Sequence, residues 1–596
     1  MNFKLESEAA MTQQDSATAQ PARLCVLKFG SSVLRVESDY PATALEIYRH
    51  IRDGEKVVAV VSALGGETDA LLNQGMRVGG DAPALLARLA RVGELHSAAL
   101  MALALTRIGV RACTMDPHEM GLMAEGAPLD SNLTGLDADA ILAKLDHHEV
   151  VVVPGFTAGH DEYGVVTLGR GGTDLTAVFF AARLGAHRVR LIKDVDGVYT
   201  ADPARNPLAE RYAELSYGEA AKASAGLIQD KAIVAAEAQD VLIEVAAMGS
   251  AEATTVANVP ARSALPLKGP KLRVALLGCG AVGAGVLDYL KGRPDLFEIN
   301  PVLVRRPHLH EEHADFTDDL HRALGEAPDL VVELIGGADE AAEIMRSALR
   351  SGTHVVSANK AAIAKHYDAL HACAEASGAS LRYSAAVGGG TPVLEMLARL
   401  GGSAGIQAIE GVMNGTGNFL ISRLSEGWSF DEAVAKAQEL GFAEADPAAD
   451  VDGHDVADKL SLLVREAFGV ALPTDRIARQ SLREVTTEQA QAALARGEVL
   501  KQVGRCWLDA DGRVHAGVQI EGLSVDHPLA GARNEENRFL VRDAAGLERC
   551  LHGKGAGRWP TASAVFADIM DLQRGLLLKS APAFEMGEAI PLLRTA

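Results

Sequence analysis

The chain has 596 residues, enough for several domains of about 150 residues, and a composition of 48% hydrophobic and 23% charged residues allows each domain a buried core. A formal net charge of −22 argues against nucleic-acid binding, and without a run of about 18 apolar residues we expect no membrane span. The six cysteines lack paired spacing and residues 1–20 lack an apolar leader, so we expect a cytoplasmic protein with reduced thiols.

Short β-branched runs alternate with alanine-rich helical stretches along most of the chain. We predict strands at 24–27, 56–61, 149–153, 188–192, 273–277, 330–334 and 354–356. Strands separated by helices indicate mostly parallel sheets that helices cover on both faces. Residues 248–270, rich in Ser, Thr, Pro and Gly, break this rhythm and are interpreted as a linker. Farther on, an Asp-Ala-Asp-Gly turn predicts a hairpin around 504–519, and a helix is predicted over 563–574.

Three segments of the first half carry small and charged residues suited to holding a nucleotide. Lys28 begins a Lys-Phe-Gly-Ser-Ser turn after the first strand, where an ammonium group and backbone N–H groups can meet phosphate oxygens. Thr-Leu-Gly-Arg-Gly-Gly-Thr-Asp at 167–174 leads into a predicted helix, and Lys-Asp-Val-Asp-Gly-Val-Tyr-Thr at 193–200 follows a strand. A lone lysine near glycine is usually a solvated turn, but the combination, together with Gly-Glu at 93–94, favours a phosphate site.

In this order the segments resemble the amino acid kinase family, and within it the aspartokinases, over residues 22–248. The resemblance implies that ATP with Mg²⁺ phosphorylates aspartate. It also implies that Lys28 bridges the transferred phosphoryl group and that Asp174 organises the lysines and the substrate. The residues implied to bind ATP are Lys193, Asp194, Asp196, Tyr199 and Asp202, and those implied to bind aspartate are Ser31, Glu94 and Gly172.

The first half departs from the aspartokinase pattern at three places. Ser31 stands where the family has a second glycine, and no arginine lies within 160–167, where the family has one for the substrate carboxylate. After Gly226 the usual lysine is replaced by Leu-Ile, with Lys231 a few residues on. Loss of a bidentate guanidinium removes about two charge-assisted hydrogen bonds. Kinase turnover and a kinase-like domain that only binds a ligand or serves assembly therefore both stay open.

A dinucleotide fingerprint opens the second half. Gly-x-Gly-x-x-Gly follows an apolar strand and begins a helix, as a pyrophosphate-binding turn does, and its residues are Gly278, Gly280, Ala281, Val282 and Gly283. The second strand, at 300–304, ends in Arg305 and Arg306, with no acidic residue for a ribose hydroxyl. Two guanidinium groups there favour a 2′-phosphate and hence NADP(H); the alternative is a solvated strand end.

Further motifs follow at fixed places along the second half. They are Ser-Ala-Asn-Lys at 357–360, Ala-Val-Gly-Gly-Gly-Thr-Pro at 386–392, Asn-Gly-Thr-Gly-Asn at 414–418, an acidic stretch at 441–459, and Gly-Ala-Gly-x-x-Pro-Thr-Ala at 555–562. Together they resemble homoserine dehydrogenase over about residues 271–576. The resemblance implies that aspartate semialdehyde is reduced to homoserine.

Asp455 and Lys459 stand four residues apart, so on a helix they share one face. Such a pair is usually a surface ion pair, but the resemblance implies that Lys459 carries the proton, oriented by Asp455, with Lys360 a second essential lysine near the nicotinamide. Pairing with Asp455 would favour a charged Lys459, which suits acid catalysis in the reductive direction. Implied cofactor contacts are Asn359, Lys360 and Gly557, and implied substrate contacts are Gly415, Thr416, Glu444, Asp450 and Lys459.

Dehydrogenases of this family often hold a monovalent cation with a glutamate that precedes the glycine run. Ser384 occupies that position here, so Na⁺ or K⁺ would depend on the backbone around Val387. Fused enzymes of this kind usually carry paired small regulatory domains between the two halves. Residues 249–270 are too few for one, since a core below about 40 residues rarely holds. We therefore expect no threonine feedback by that route, and we expect a homodimer or larger homo-oligomer.

The expected fold is α/β: an amino acid kinase-like three-layer domain fused to a Rossmann dinucleotide-binding domain with an α+β substrate and dimerisation domain. The expected segments are a disordered tail at 1–21, the kinase-like domain at 22–248, a linker at 249–270, the Rossmann domain at 271–390, the substrate domain at 391–550 and a segment at 551–596 that returns to the nucleotide domain. The implied function is two steps of threonine and methionine biosynthesis. The alternative is a homoserine dehydrogenase whose degenerate kinase-like domain senses a ligand or serves assembly.

Overall fold

The structure is a computed structural model, and it describes residues 23–203, 205–206, 208–224, 226–264, 267, 269–310, 315–401, 405–440, 443 and 446–580. The tail predicted at 1–21 lies outside these residues, as does the chain beyond 580. None of the helices that the described residues form combines the length and the apolar character that a membrane span requires.

The first half alternates strands with helices, as its sequence predicts. Its elements in chain order are β1 (Leu24–Phe29), α1 (Tyr40–Arg52), β2 (Lys56–Val61), α2 (Glu67–Gly79), α3 (Pro83–Arg107), β3 (Ala112–Thr114), β4 (Met123–Ala127), β5 (Asp130–Gly135), α4 (Ala138–His147), β6 (Val150–Pro154), β7 (Thr157–His160), β8 (Gly164–Thr167), α5 (Gly172–Leu184), β9 (Arg188–Lys193), β10 (Arg211–Leu215), α6 (Tyr217–Ala223), α7 (Asp230–Gln239), β11 (Ile243–Ala247), β12 (Thr254–Val256) and β13 (Arg262–Ala264).

One large sheet organises this half. In the described residues it contains nine strands in the order β13–β10–β12–β11–β9–β1–β2–β6–β3, and its central strands are parallel. The Lys-Val-Val-Ala-Val-Val run of β2 is buried along almost its whole length, as expected for a strand covered on both faces. β1 and β9 are parallel neighbours. Lys28 near the end of β1 and Lys193 at the end of β9 therefore lie close together at the carboxyl ends of these two central strands.

Two strands of the segment predicted as a linker, β12 and β13, belong to this sheet. β12 pairs with β10 and β11, and β13 pairs with β10. The prediction of an irregular linker is therefore wrong for these strands. Strands of three residues are too short to show a period of two, and β12 is held partly by the Thr254 side chain, which accepts from Val198 N at 2.8 Å and donates to Tyr212 O at 2.6 Å.

The nucleotide-binding part of the second half follows directly. Its elements are β14 (Leu272–Leu277), α8 (Ala281–Lys291), β15 (Phe297–Ile299), β16 (Val302–Leu303), β17 (Phe316–Thr317), α9 (Leu320–Leu324), β18 (Leu330–Glu333), α10 (Asp339–Arg350), β19 (His354–Ser357), α11 (Lys360–Ser377), β20 (Leu381–Arg382) and α12 (Ser384–Gly388). The strands form a parallel sheet in the order β17–β16–β14–β18–β19–β20, with β15 also paired to β14. The seven strands predicted from the sequence correspond to β1, β2, β6, β9, β14, β18 and β19.

An antiparallel sheet with helices on it completes the second half. The elements are α13 (Val393–Gly401), β21 (Ile406–Val412), α14 (Gly415–Ser425), α15 (Phe430–Glu439), α16 (Ala448–Val451), α17 (His454–Phe468), β22 (Ala478–Arg479), α18 (Thr487–Ala495), β23 (Glu498–Leu508), β24 (Val514–Ser524), β25 (Glu536–Asp543), β26 (Glu548–Lys554) and α19 (Arg558–Ser580). The predicted hairpin is confirmed as β23 and β24, and the helix predicted at 563–574 lies within α19.

The end of the described chain crosses back to the nucleotide sheet. α19 packs on α8, and its Ala562, Val565 and Ile569 share an apolar cluster with Val274 of β14. The predicted boundary at 550 is wrong in detail, because it divides β26, which pairs with β25 along its whole length. Composition does not reveal a strand that ends one domain immediately before a helix that returns to another.

Candidate active sites

The glycine-rich turn joins β14 to α8. Gly278 has a φ of +99°, and a Cβ there would lie 2.5 Å from Leu334 O. A Cβ on Gly283 would lie 2.1 Å from Gly278 O, so the helix packs directly on the turn. At Gly280 a Cβ would meet no atom of the described residues within 4 Å, and α8 starts at the next residue, Ala281. The space beside Gly280 and the N–H groups at the start of α8 suit a pyrophosphate.

Two alanine substitutions in this turn are expected to fail in different ways. Gly283→Ala forces a methyl against Gly278 O, and such overpacking should cost about 1–3 kcal/mol of stability. Gly280→Ala has room in the protein, so its unfolding midpoint should stay near that of the wild type, while its methyl should weaken dinucleotide binding by about tenfold or more. Thermal unfolding and cofactor titration of both variants check this. Equal losses of stability in the two variants would contradict it.

Polar residues at neighbouring strand ends fix the loop at 334–337. Asn359 precedes α11 and caps it, and its Nδ2 donates to Gly337 O at 2.6 Å. Glu333, fully buried at the end of β18, accepts from Ser357 Oγ at 2.6 Å, and burial raises the pKa of its carboxyl. Glu333 was not predicted from the sequence, although a glutamate that ends a Leu-Val-Val strand is a visible signal.

Asp455 holds the two lysines that the sequence singled out. It lies in the first turn of α17, and Lys459 one turn later donates to Asp455 Oδ2 at 2.8 Å and to Met413 O at 2.6 Å. Lys360, at the start of α11, has its Nζ 2.9 Å from Asp455 Oδ1. The Lys459 side chain is 9% exposed and that of Lys360 is 35% exposed. Asp455 thereby joins the nucleotide-binding part to the substrate part of the second half.

The charges of this cluster favour ionised groups. Burial opposes the ionisation of Asp455, but the ammonium groups of Lys459 and Lys360 outweigh it and hold the pKa of the carboxyl well below its usual range. The carboxylate in turn raises the pKa of Lys360. Two ammonium groups on one carboxylate can hold a proton beside a reacting oxygen and stabilise negative charge on it.

Asn414 connects this cluster to the acidic stretch. Its Nδ2 donates to Asp455 Oδ2 at 2.8 Å and to Asp450 Oδ1 at 2.7 Å, while its Oδ1 caps α14. Thr416, in the first turn of α14, also hydrogen-bonds Asp450, and burial raises the pKa of that carboxyl. The structure thus brings Asp450, Thr416 and Asp455 together. Glu444 lies outside the described residues. Asn414 begins the Asn-Gly-Thr-Gly-Asn motif, but its bridging contacts could not be predicted from the spacing of residues.

The remaining residues implied by the resemblance lie in turns around these groups. Gly415 begins α14, and Gly557 has a φ of +107° immediately before α19. Arg305 and Arg306 are exposed just beyond β16, whose last carbonyl accepts from Gly278 N at 2.9 Å. The two arginines are therefore close in the fold to the glycine-rich turn.

At the position where related dehydrogenases have a glutamate for a monovalent cation, Ser384 is hydrogen-bonded to a carboxylate of α19. Ser384 begins α12 and donates from its backbone N to Asp568 Oδ2 at 3.0 Å and from its Oγ to Asp568 Oδ1 at 2.8 Å. Val387 is fully buried in the same short helix. The hydroxyl of Ser384 is thus engaged by a carboxylate, and a cation at the Val387 backbone stays a prediction.

Lys501 of β23 is a buried lysine that was not predicted as a site residue from the sequence. It is 2% exposed and donates to Asn418 Oδ1 and Ala532 O, each at 2.6 Å. Burial lowers its pKa to about 8. Asn418 closes the Asn-Gly-Thr-Gly-Asn motif, so Lys501 fixes the end of that motif from a strand distant in sequence.

A second cluster of lysines lies in the first half, at the carboxyl ends of the central strands β1 and β9 of the large sheet. Lys28 Nζ is 2.7 Å from Asp174 Oδ1, and Lys193 Nζ is 2.9 Å from Asp174 Oδ2. All three side chains are less than 10% exposed. Burial opposes the charge of Asp174, but the two lysines outweigh it and lower its pKa, while burial together with Lys28 lowers the pKa of Lys193 to about 8. The cluster is net positive, as a phosphate site requires.

Other residues implied for this half surround the cluster unevenly. Gly172 begins α5, which carries Asp174, and Glu94 of α3 is 2% exposed, with burial raising the pKa of its carboxyl to about 8. Ser31 is exposed in the turn after β1. Among the residues implied to bind ATP, Tyr199 donates from its Oη to Asp196 Oδ1 at 2.8 Å. Asp194 and Asp202 of the same set are exposed.

Comparisons with known proteins assign each part of the chain to a family. Residues 392–570 match the homoserine dehydrogenase family, residues 278–384 match the homoserine dehydrogenase NAD-binding domain, and residues 23–246 match the amino acid kinase family. A homoserine dehydrogenase of Synechocystis is 37% identical over 50% of this chain and 73% of its own length. An NAD(+)-dependent homoserine dehydrogenase of Pseudomonas canavaninivorans is 34% identical over 40% of this chain and 68% of its own. A solved homoserine dehydrogenase from Thiobacillus denitrificans matches with a TM-score of 0.49 and 32% identity, over 52% of this chain and 76% of that one.

Proposed function

This chain belongs to the homoserine dehydrogenase family, and we propose that it is an NADP(H)-dependent homoserine dehydrogenase fused to an aspartate kinase. The observation that carries the dehydrogenase assignment is the buried Asp455, which pairs with Lys459 on its own helix and with Lys360 from the nucleotide-binding part. This pairing puts two ammonium groups where the nucleotide and substrate parts meet.

The proposed chemistry needs a hydride at carbon and a proton at oxygen. The nicotinamide cofactor supplies the hydride in reduction and accepts it in oxidation. Lys459 Nζ gives the proton to the aldehyde oxygen in reduction and takes the hydroxyl proton in oxidation. Asp455 orients Lys459 through the ion pair between the two side chains, and Lys360 stabilises negative charge on the reacting oxygen. Asp450 offers a carboxylate to the substrate ammonium group, and Gly415 and Thr416 line the pocket.

The preference for NADP(H) rests on Arg305 and Arg306. We expect the double variant Arg305→Ala/Arg306→Ala to lose about 100-fold in kcat/KM for NADP⁺, because charge-assisted hydrogen bonds to the 2′-phosphate contribute about 1.5–3 kcal/mol each. The kcat/KM for NAD⁺, which lacks that phosphate, should stay near the wild-type value. Steady-state kinetics with both cofactors check this, with Arg322→Ala, an exposed arginine paired with Asp315, as the control. Equal losses with the two cofactors would contradict the proposal.

For the first half we propose transfer of the γ-phosphoryl group of ATP to an aspartate carboxylate. The support is the cluster of Lys28, Asp174 and Lys193, since phosphoryl transfer depends on positioning and on neutralising phosphate charge. Glu94 of α3 is proposed to contact the bound aspartate. Mg²⁺ would accompany ATP, near Asp194 and Asp202.

A second candidate for this half is ligand binding without turnover. It is favoured by the lack of an arginine at 160–167 and by Lys231, whose ammonium contacts Asp130 in the described residues. Arg88 of α3 does reach the β7–β8 hairpin, where its Nη2 donates to Tyr163 O at 3.2 Å. A guanidinium is therefore present at this hairpin from another element.

One experiment tests both halves in a single preparation. Homoserine-dependent reduction of NADP⁺ tests the dehydrogenase, and trapping of acyl phosphate by hydroxylamine with ATP, Mg²⁺ and aspartate tests the kinase. Both activities in one sample support the bifunctional proposal. NADP⁺ reduction without trapped product contradicts the kinase proposal and favours the binding domain. The absence of NADP⁺ reduction from folded protein contradicts the dehydrogenase proposal.

The protein is further proposed to act in the cytoplasm as a homodimer or larger homo-oligomer. The six cysteines support a reducing compartment, since all are free thiols in the structure. Light scattering during size-exclusion chromatography measures the oligomeric state directly. A monomer with full dehydrogenase activity would contradict this part of the proposal.

A further inference from the structure

Arg52, the last residue of α1, extends from the first half into the second. Its Nε lies 2.8 Å from Glu395 Oε1, its Nη2 lies 2.5 Å from Asp568 Oδ1, and its Nη1 lies 3.1 Å from Asp571 Oδ2. Arg52 is 3% exposed and Asp568 is 1% exposed. One guanidinium of the kinase-like half thus contacts three carboxylates, all of which belong to α13 and α19 of the dehydrogenase half.

The same guanidinium fixes the start of α12. Arg52 Nη2 donates to Ser384 Oγ at 3.2 Å, and Ser384 donates from its N and its Oγ to Asp568. A helix of five residues has little stability of its own, so its place depends on the contacts at its ends. At the other end, Tyr48 of α1 donates from its Oη to Gly390 O at 3.0 Å. The first residue of α12 and the turn two residues beyond its end are therefore both hydrogen-bonded to α1.

α12 contacts the helix that carries Lys459. It packs on α17, and Ala386 and Val387 share an apolar cluster with Val456 and Leu460, on the helix that carries Lys459. A displacement of α12 would therefore also shift α17, the helix that carries Lys459, because closely packed interiors transmit strain from one helix to its neighbour.

We propose that Arg52 is a positioning residue for the dehydrogenase reaction, supplied by the kinase-like half and acting through α12 on α17. The inference rests on the proposed dehydrogenase function. Without the guanidinium, the buried Asp568 faces Glu395 and Asp571 as like charges, and the hydrogen bonds that start α12 lose their geometry. The kinase-like half would then be needed for reduction of the aldehyde even if it transferred no phosphoryl group.

The test compares two buried arginines of the first half in the full chain. Arg52→Ala should lower kcat for homoserine-dependent NADP⁺ reduction by about 100-fold, the size of effect that a misplacement of about 1 Å produces, with little change in the KM for homoserine. Free guanidinium below denaturing concentration should restore part of kcat. Arg211→Ala is the matched control: Arg211 is also 3% exposed, but its partners Glu252 and Ala253 O belong to the first half. It should keep its kcat and show no response to guanidinium.

A milder variant keeps the test decisive if Arg52→Ala does not fold. Ser384→Ala removes the side-chain links to Arg52 and Asp568 but keeps the backbone hydrogen bond to Asp568 and every charge, and the loss of its two side-chain hydrogen bonds should lower kcat by about tenfold. Wild-type kcat in either variant, or a loss in Arg52→Ala that guanidinium does not relieve, overturns the inference alone. An inactive but folded wild type overturns the proposed dehydrogenase and this inference with it.

Discussion

Lys459→Ala is expected to lower kcat for homoserine oxidation by about 1,000-fold, within the range that a positioned proton carrier contributes. Lys459 Nζ donates to Met413 O and to Asp455 Oδ2 and keeps a third N–H for the reacting oxygen, and α17 contains no other lysine that could replace it. Lys360 reaches the other oxygen of Asp455 from another helix, and its ammonium cannot replace the lost one at the same point. Steady-state kinetics at saturating homoserine and NADP⁺ measure the effect.

The control for this variant is another lysine paired along a helix of the same part of the chain. Lys436 of α15 pairs with Glu439 three residues on, and Lys436→Ala should keep the wild-type kcat. Cofactor titration of Lys459→Ala should give the wild-type dissociation constant, which shows that the nucleotide fold is intact. If Lys459→Ala kept more than about a tenth of kcat, Lys459 would not be the proton carrier.

The sequence predicted the parts of this site that depend on local geometry. The glycine-rich turn between β14 and α8 is encoded within six residues, because only glycine tolerates the contacts at Gly278 and Gly283. The Asp455 and Lys459 pair is likewise local, since residues four apart on a helix share a face. The seven strands predicted from apolar runs correspond to buried parallel strands, because a strand that is covered on both faces shows as a continuous apolar run.

Contacts between distant segments were not predictable from spacing. Lys360 meets Asp455 only because α11 and α17 pack together, and Glu333 and Asn414 act through partners on other elements. In the sequence, Arg52 is an ordinary basic residue at the C-terminus of a helix, where its charge would interact favourably with the helix dipole. Its carboxylate partners lie more than three hundred residues away and are visible only in the packed chain.

The strands β12 and β13 show a different limit. They lie in a stretch whose Ser, Thr, Pro and Gly content is typical of a loop, and they are held by backbone pairing at the edge region of the large sheet. The residues between the two halves therefore complete the first half's sheet. This leaves the two halves to contact one another directly, as Arg52 and Tyr48 do.

Lys28→Ala is expected to lower acyl phosphate formation by about 100-fold or more, the cost of removing one preorganised donor from a charged transition state. Lys28 is buried beside Asp174 and Lys193, so its loss removes one of the two ammonium groups and leaves this cluster without a net positive charge for the phosphoryl group. Hydroxylamine trapping with ATP, Mg²⁺ and aspartate measures it. Lys144→Ala, an exposed lysine on α4, should match the wild type, and NADP⁺ reduction should be unchanged in both variants. Equal trapping in Lys28→Ala and wild type would mean that the product does not arise at this cluster.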